Sequence, residues 1–136
     1  MSARPDRIGA VVIGRNEGER LVRCLASLRA LVTRLVYVGS GSTDGSVETA
    51  REKGADVVIL PPDPPFTAAR ARNAGVAHLR DHESLPDFIL FVDGDCELVP
   101  GFLPAAHAFM DDNPRVAVVC GRRRERFPAA SVYNRL

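Results

Sequence analysis

The sequence predicts an α/β domain built on a mostly parallel central sheet, and three observations carry that prediction. Short apolar runs rich in β-branched residues recur along the chain. Each is followed by a turn and then by a segment of helical spacing, and the unusual polar residues sit in the turns. The 136 residues suffice for a domain with its own core, and 46% hydrophobic against 26% charged residues argues against a disordered chain. We read residues 1–136 as one domain, because no internal repeat beyond the strand-helix alternation, no low-complexity tract and no dividing linker interrupts it.

Ile8 to Ile13 (IGAVVI) is a nearly continuous apolar run and suits a strand buried on both faces. Asn16, three positions before Glu19, resembles a capping box, and Leu21, Cys24, Leu25, Leu28 and Leu31 then recur at helical spacing. Leu35 to Val38 reads as a second strand, Ser40 to Gly45 as a turn, and Ser46 to Lys53 as a helix ended by Gly54. Val57 to Leu60 is a third strand. The prolines of Pro61-Pro62-Asp63-Pro64-Pro65 lack the donor a ladder needs, so a loop follows. Thr67 then caps a helix to about Leu79, where Ala68, Ala69, Ala71, Ala74 and Gly75 allow close approach to a neighbour. Arg80 to Asp87 is a polar connection. Phe88 to Val92 (FILFV), the most hydrophobic run, is expected at the centre of the sheet. Pro100 to Met110 reads as a short helix and Val116 to Cys120 as a last strand.

A formal charge of +1 gives no overall attraction to nucleic acid or acidic membrane, so an anionic ligand must be caught by a local arrangement. Cys24, Cys96 and Cys120 are odd in number and widely spaced, which fits neither a disulfide framework nor paired zinc ligands and points to a reducing cytoplasm. No apolar run of signal-peptide length follows the amino terminus, and none is long enough to span a bilayer. Arg122-Arg123-Arg124-Glu125-Arg126 has only Phe127 beside it, so a solvated segment is the better reading than a nucleic-acid surface. His78, His82 and His107 show no metal-ligand spacing and read as surface or helix residues.

In open α/β sheets ligands bind outside the carboxyl ends of the strands, here the turns after Ile13, Val38 and Val92. Asp93 and Asp95 stand two positions apart at a strand end, and Gly94 between them accepts backbone angles that would turn both toward one point. Mg²⁺ or Mn²⁺ prefers such oxygen ligands and completes its shell with water and substrate phosphates. A plain Asp-Gly turn is the competing reading, weakened because charges at the end of so apolar a strand are costly unless used. Glu97 reads as a solvated turn residue. Ser40-Gly41-Ser42-Thr43-Asp44-Gly45 offers small residues and free N–H groups to a nucleotide, although it lacks the Walker and dinucleotide patterns, and Thr43 or Asp44 equally well caps the next helix. Arg70 and Arg72 point in different directions on one helix, so at most one faces a phosphate or a base edge.

Together these parts resemble the inverting nucleotide-sugar glycosyltransferases of family 2. The resemblance runs from about Ile8 to Gly121. It rests on Val11-Val12-Ile13-Gly14-Arg15-Asn16-Glu17, Val38-Gly39-Ser40-Gly41-Ser42-Thr43-Asp44-Gly45, Ala71-Arg72-Asn73-Ala74-Gly75 and Val92-Asp93-Gly94-Asp95. It implies a three-layer GT-A (Rossmann-like) fold and a nucleoside-diphosphate sugar held through Mn²⁺ or Mg²⁺ for transfer to an acceptor hydroxyl with inversion. Ile13, Gly14, Arg15, Asn16 and Glu17 would wall the nucleotide pocket with Ser40, Ser42, Asp44 and Gly94. Arg72 would approach the base or phosphate, Asp95 would coordinate the cation directly, and Asp93 would serve the ribose or the metal shell.

Gly14 and Arg15 depart from a hydroxyl and an aromatic residue common in the family, and Gly39 and Ser40 from two aspartates, which leaves the nucleobase open. The family's acceptor half and catalytic base lie well beyond the metal motif, so the chain is expected to be truncated and no residue in it is assigned as base. We expect an exposed face to favour self-association, no nucleic-acid partner, and a cytoplasmic location or, for the longer protein, one peripheral to the inner face of a membrane. Two alternatives stay open. A sugar-1-phosphate nucleotidyltransferase is disfavoured by the lack of a glycine-rich loop followed by lysine at the first turn. A non-enzymatic α/β interaction module would use Asp93-Gly94-Asp95 as a plain turn.

Overall fold

The computed structural model describes residues 7–125 and 129, and the chain divides between Val99 and Pro100 into two compact units. The first holds β1 (Ile8–Gly14), α1 (Glu19–Leu28), β2 (Arg34–Gly39), α2 (Ser46–Glu52), β3 (Asp56–Ile59), α3 (Ala68–His82) and β4 (Phe88–Asp93). The second contains α4 (Phe102–Asp112). All four strands are parallel, in the order β3-β2-β1-β4.

That order explains the layers. The chain moves outward from β1 through β2 to β3, then crosses back over both to reach the far side of β1. Right-handed crossovers in opposite directions place their helices on opposite faces of a sheet. Accordingly α3 packs on one face, where Val11, Ile13, Val36, Val38, Ala71 and Leu79 form a buried cluster joined by Val58, Phe66 and Ile89. Ala10, Val12, Leu35 and Tyr37 alternate with these residues and are equally buried, on the side of α1's buried Leu21, Cys24, Leu25 and Leu28. Gly75 sets the approach of α3, since a Cβ there would stand 2.4 Å from Val11 Cγ1. The expected small-residue face of this helix is therefore a helix-to-strand contact.

The Thr67 cap forms as expected, its side chain accepting from Arg70 N at 3.1 Å, and the helix runs one turn beyond Leu79 to His82. Four expectations need correction. The first helix is not opened by a capping box: Gly18 holds the cap position with φ 56°, no side chain caps it, and Asn16 lies outside. Leu31 falls beyond the end of α1 and is 45% exposed, because the chain has already turned toward β2. Phe88 to Val92 forms an edge strand, with Phe91 45% exposed, since the crossover carries β4 past β1 where no described strand pairs with its other side. Val116 to Cys120 forms no strand, for apolar character alone makes no ladder without a partner. Among the described residues, no helix is long and apolar enough to cross a membrane.

Candidate functional site

The sheet reverses its order of addition between β1 and β4, and such a switch point opens a crevice at the carboxyl ends of the two strands. Register brings the expected turns to one level. Gly14 pairs with Gly39, and Ile13 with both Val38 and Asp93. The turns after β1, β2 and β4 thus leave the sheet side by side.

The first two turns are bonded to each other. Asn16, at φ 51°, donates its N–H to Ser42 Oγ at 3.2 Å and accepts from Thr43 N through Oδ1 at 2.8 Å. Asp44 Oδ2 accepts from Gly18 N at 3.0 Å, while its Oδ1 accepts from the amide and hydroxyl of Ser46. The Ser46 hydroxyl is the main cause that holds the Asp44 carboxyl below its ordinary range. Asn16 therefore stabilises a loop-to-loop contact where a helix cap was expected. Asp44 supports both the first turn and the start of α2.

Tyr37 was not among the expected site residues. Its hydroxyl donates to Gly14 O at 3.2 Å, and its ring lies over Gly39, where a Cβ would stand 3.1 Å from that hydroxyl. Burial raises the Tyr37 pKa, with Ser42 and Ser46 as hydrogen-bonding neighbours. The readable signal is a tyrosine two positions before a glycine on one strand, which places the ring on the face the glycine leaves bare. Ser40 is buried, whereas Arg15 is exposed over the second turn, its Nε and Nη2 each 3.8 Å from where a Gly41 Cβ would stand.

At the third turn, Gly94 N donates to Ile13 O at 2.7 Å. Gly94 does not adopt a positive φ, contrary to expectation. It is required for space, since a Cβ would stand 3.1 Å from Ile13 O and 3.3 Å from Glu17 Cγ. Glu17 thus packs between the first and third turns, with Oε2 3.0 Å from Arg20 Nη2. Asp93 Oδ1 meets Arg72 Nη2 at 3.2 Å, both side chains being about half exposed (49% and 41%). Arg70 turns away to the carbonyls of Pro61 and Pro64, so only Arg72 reaches the motif. Asp95 is exposed, with Cys96 Sγ at 3.5 Å from its Oδ1.

The following loop is anchored to α1. Leu98 N donates to Ser27 Oγ at 3.0 Å, Ser27 Oγ donates to Cys24 O at 2.7 Å, and Glu97 pairs with Arg23 at 3.2 Å. Glu97 is therefore an ion-pair partner as well as a turn residue. Burial, reinforced by Cys96, Asp95 and Asp93, pushes the Cys24 thiol up to about 12, and its proton points to Asp93 O at 3.7 Å.

Among the described residues no three His, Cys, Asp or Glu side chains are grouped to hold a metal unaided. Two exposed carboxylates at adjoining positions nevertheless fit a hard cation that takes its remaining oxygens from a phosphate. Among the described residues Asp93 is engaged by Arg72 and Asp95 by no cation, so Asp95 is the freer ligand. The remaining expected and excluded groups are not part of the three turns. His78 pairs with Asp56 at 3.1 Å and stacks on His82, beside a cavity of about 340 Å³ that Arg51 and Ala55 also line. Asp56 begins β3, at the end of the sheet opposite the three turns. His107 lies on α4, and Arg122, Arg123, Arg124 and Glu125 are exposed, while Arg126 and Phe127 lie outside the described residues.

Comparison with known proteins adds three findings. The sequence model of Glycosyl transferase family 2 matches residues 10–135. An uncharacterized glycosyltransferase of Rickettsia felis is 30% identical over 93 residues, covering 68% of this chain and 30% of that protein. The crystal structure of Mycobacterium tuberculosis glucosyl-3-phosphoglycerate synthase superposes with TM-score 0.60 at 26% identity, over 76% of this chain and 39% of that one. The same synthase in complex with Mn²⁺, UDP-glucose and phosphoglyceric acid gives TM-score 0.58 at 25% identity. The chain thus spans about a third of the length of these relatives.

Proposed function

The chain belongs to glycosyl transferase family 2, its α/β sheet has the GT-A fold, and on that premise we propose that it binds a nucleoside-diphosphate sugar at the carboxyl ends of β1, β2 and β4. In this reading residues 1–136 are the nucleotide-sugar-binding domain, and the sugar passes to an acceptor hydroxyl with inversion. The observation that carries it is the pairing of β4 on β1, which sets Asp93 and Asp95 beside the Gly14–Glu17 turn with Arg72 at hand. That the mycobacterial synthase was crystallised with Mn²⁺ and UDP-glucose supports a divalent cation and a diphosphate donor.

Asp95, with Asp93, would hold Mn²⁺ or Mg²⁺, which when bound supplies charge neutralisation to the departing nucleoside diphosphate. Arg72 holds the Asp93 carboxylate with one donor, and its remaining donors would suit a phosphate oxygen. The bonded turns of residues 14–17 and 40–45 form the wall for the nucleoside. We assign no catalytic base within this chain, so the reading concerns donor binding.

The test is calorimetric titration of the chain with nucleoside diphosphates, with Mn²⁺ and with chelator. Asp95→Ala should weaken metal-dependent binding on the order of a hundred-fold and leave thermal stability nearly unchanged. Binding that survives both the substitution and the chelator would remove the metal role.

A further inference from the structure

The paired turns carry three charged side chains, and two are already committed. Both Asp44 oxygens accept hydrogen bonds from Gly18 and Ser46, and Glu17 is packed under the turn against Arg20. Among the described residues Arg15 has no hydrogen-bond or ion-pair partner, and its guanidinium lies over Gly41 of the second turn. The place where an acidic side chain could stand after β2 is taken up differently: the Tyr37 ring fills the space over Gly39, and the next residue is the buried Ser40. The two paired turns therefore offer a planar fork of donors and no uncommitted carboxylate of their own.

Such a wall discriminates among bases by simple complementarity. An arginine fork donates two parallel hydrogen bonds and suits an edge with two adjacent acceptors. Uracil alternates acceptor, donor and acceptor, so it offers a fork no two adjacent acceptors. Adenine sets an amine donor beside N7. Cytosine has adjacent acceptors, but one of them flanks the glycosidic bond, where the ribose obstructs approach. Guanine alone presents O6 and N7 together on an edge remote from the sugar.

Resting on the donor-binding reading above, we propose that Arg15 selects guanine, so that the donor is a guanosine-diphosphate sugar. Arg15 meets O6 and N7 with its two terminal donors, and Tyr37 keeps the first turn in the form that holds Arg15 over Gly41.

The test titrates the chain, in Mn²⁺, with GDP, UDP, ADP, CDP and 7-deaza-GDP, which lacks the N7 acceptor, and repeats the series on Arg15→Ala and Arg15→Lys. GDP should bind roughly ten-fold or more tightly than UDP, the size expected of one bidentate base contact. Arg15→Ala and Arg15→Lys should both erase that preference, and 7-deaza-GDP should be weaker than GDP only while Arg15 is present. Arg15 is exposed, so these variants should fold, and their melting temperatures check it. UDP or CDP binding as tightly as GDP would overturn the proposal while leaving the donor-binding reading intact. An equal loss for all four natural nucleotides in Arg15→Ala would overturn it too, by showing that Arg15 holds a phosphate. Binding of none of them would remove both readings.

Discussion

The turns after β1 and β2 and the turn after β4 lie at the same end of one sheet, yet they spend their polar groups in opposite ways. Asn16, Ser42, Thr43, Gly18 and Asp44 bond to one another across 26 or 27 residues of sequence, leaving a stiff wall with few open valences. The Asp93-Gly94-Asp95 turn is stiff only in its backbone, through Gly94 N on Ile13 O, and holds its carboxylates outward. The difference separates scaffold from chemistry. In the first region a polar residue is structural although it looks like a ligand, and in the second a glycine is structural although it looks like a hinge.

Substitutions that exchange the two characters should break this division. Gly94→Val should have the largest effect on folding, about 1–3 kcal/mol by overpacking against Ile13 O, Glu17 and Leu21, read by urea denaturation. It should also weaken nucleotide binding, since the turn can no longer sit on β1. Asn16→Ala should cost about 1–2 kcal/mol, combining a left-handed backbone with a lost loop bond. Asn16→Gly should recover the backbone part alone, and if it proves as damaging as alanine, the backbone strain is unimportant.

Asp44 sharpens the contrast through pH. Its folded pKa lies below the ordinary carboxylate value of 3.8, so its contribution is fully present above that value and is lost as pH falls through the lower folded one. Asp44→Asn should therefore flatten the acid limb of the stability profile, read by urea denaturation at a series of acid pH values. Arg72→Gln should have the smallest effect on stability, within about 0.5 kcal/mol for a half-exposed ion pair. A melting temperature equal to that of the parent, with weaker nucleotide binding, is the expected pattern.

What the sequence made legible follows the range of the interactions involved. The Thr67 cap, the β1 and β2 runs and the small-residue face around Gly75 are set by neighbours within a turn or by strand alternation, and they form as read. The three turn motifs also gather at one end, because a parallel sheet sends every strand's carboxyl end the same way, and Arg72 reaches Asp93 from α3. Asn16 was misread because its partner Thr43 lies 27 residues away while Glu19 is close by. Phe88 to Val92 was placed at the centre because hydrophobicity reports burial, whereas position in the sheet is decided by the direction of a crossover. Gly94 was assigned to an unusual backbone angle when the constraint is the nearness of Ile13 O, which no local pattern records. Arg72 was preferred to Arg70 by motif position, and the loop carbonyls of Pro61 and Pro64 supply the physical reason.

The bond from Gly94 N to Ile13 O carries the ladder one residue past the last paired position of the sheet. In the language of isotope exchange, the Gly94 amide should be a protected proton, released when β1 and β4 part at that end of the sheet. The Asp95 amide, next in sequence, has no such anchor. Two neighbouring protons should therefore report on different clocks, one set by the parting of β4 from β1 and the other by the freedom of the turn that follows.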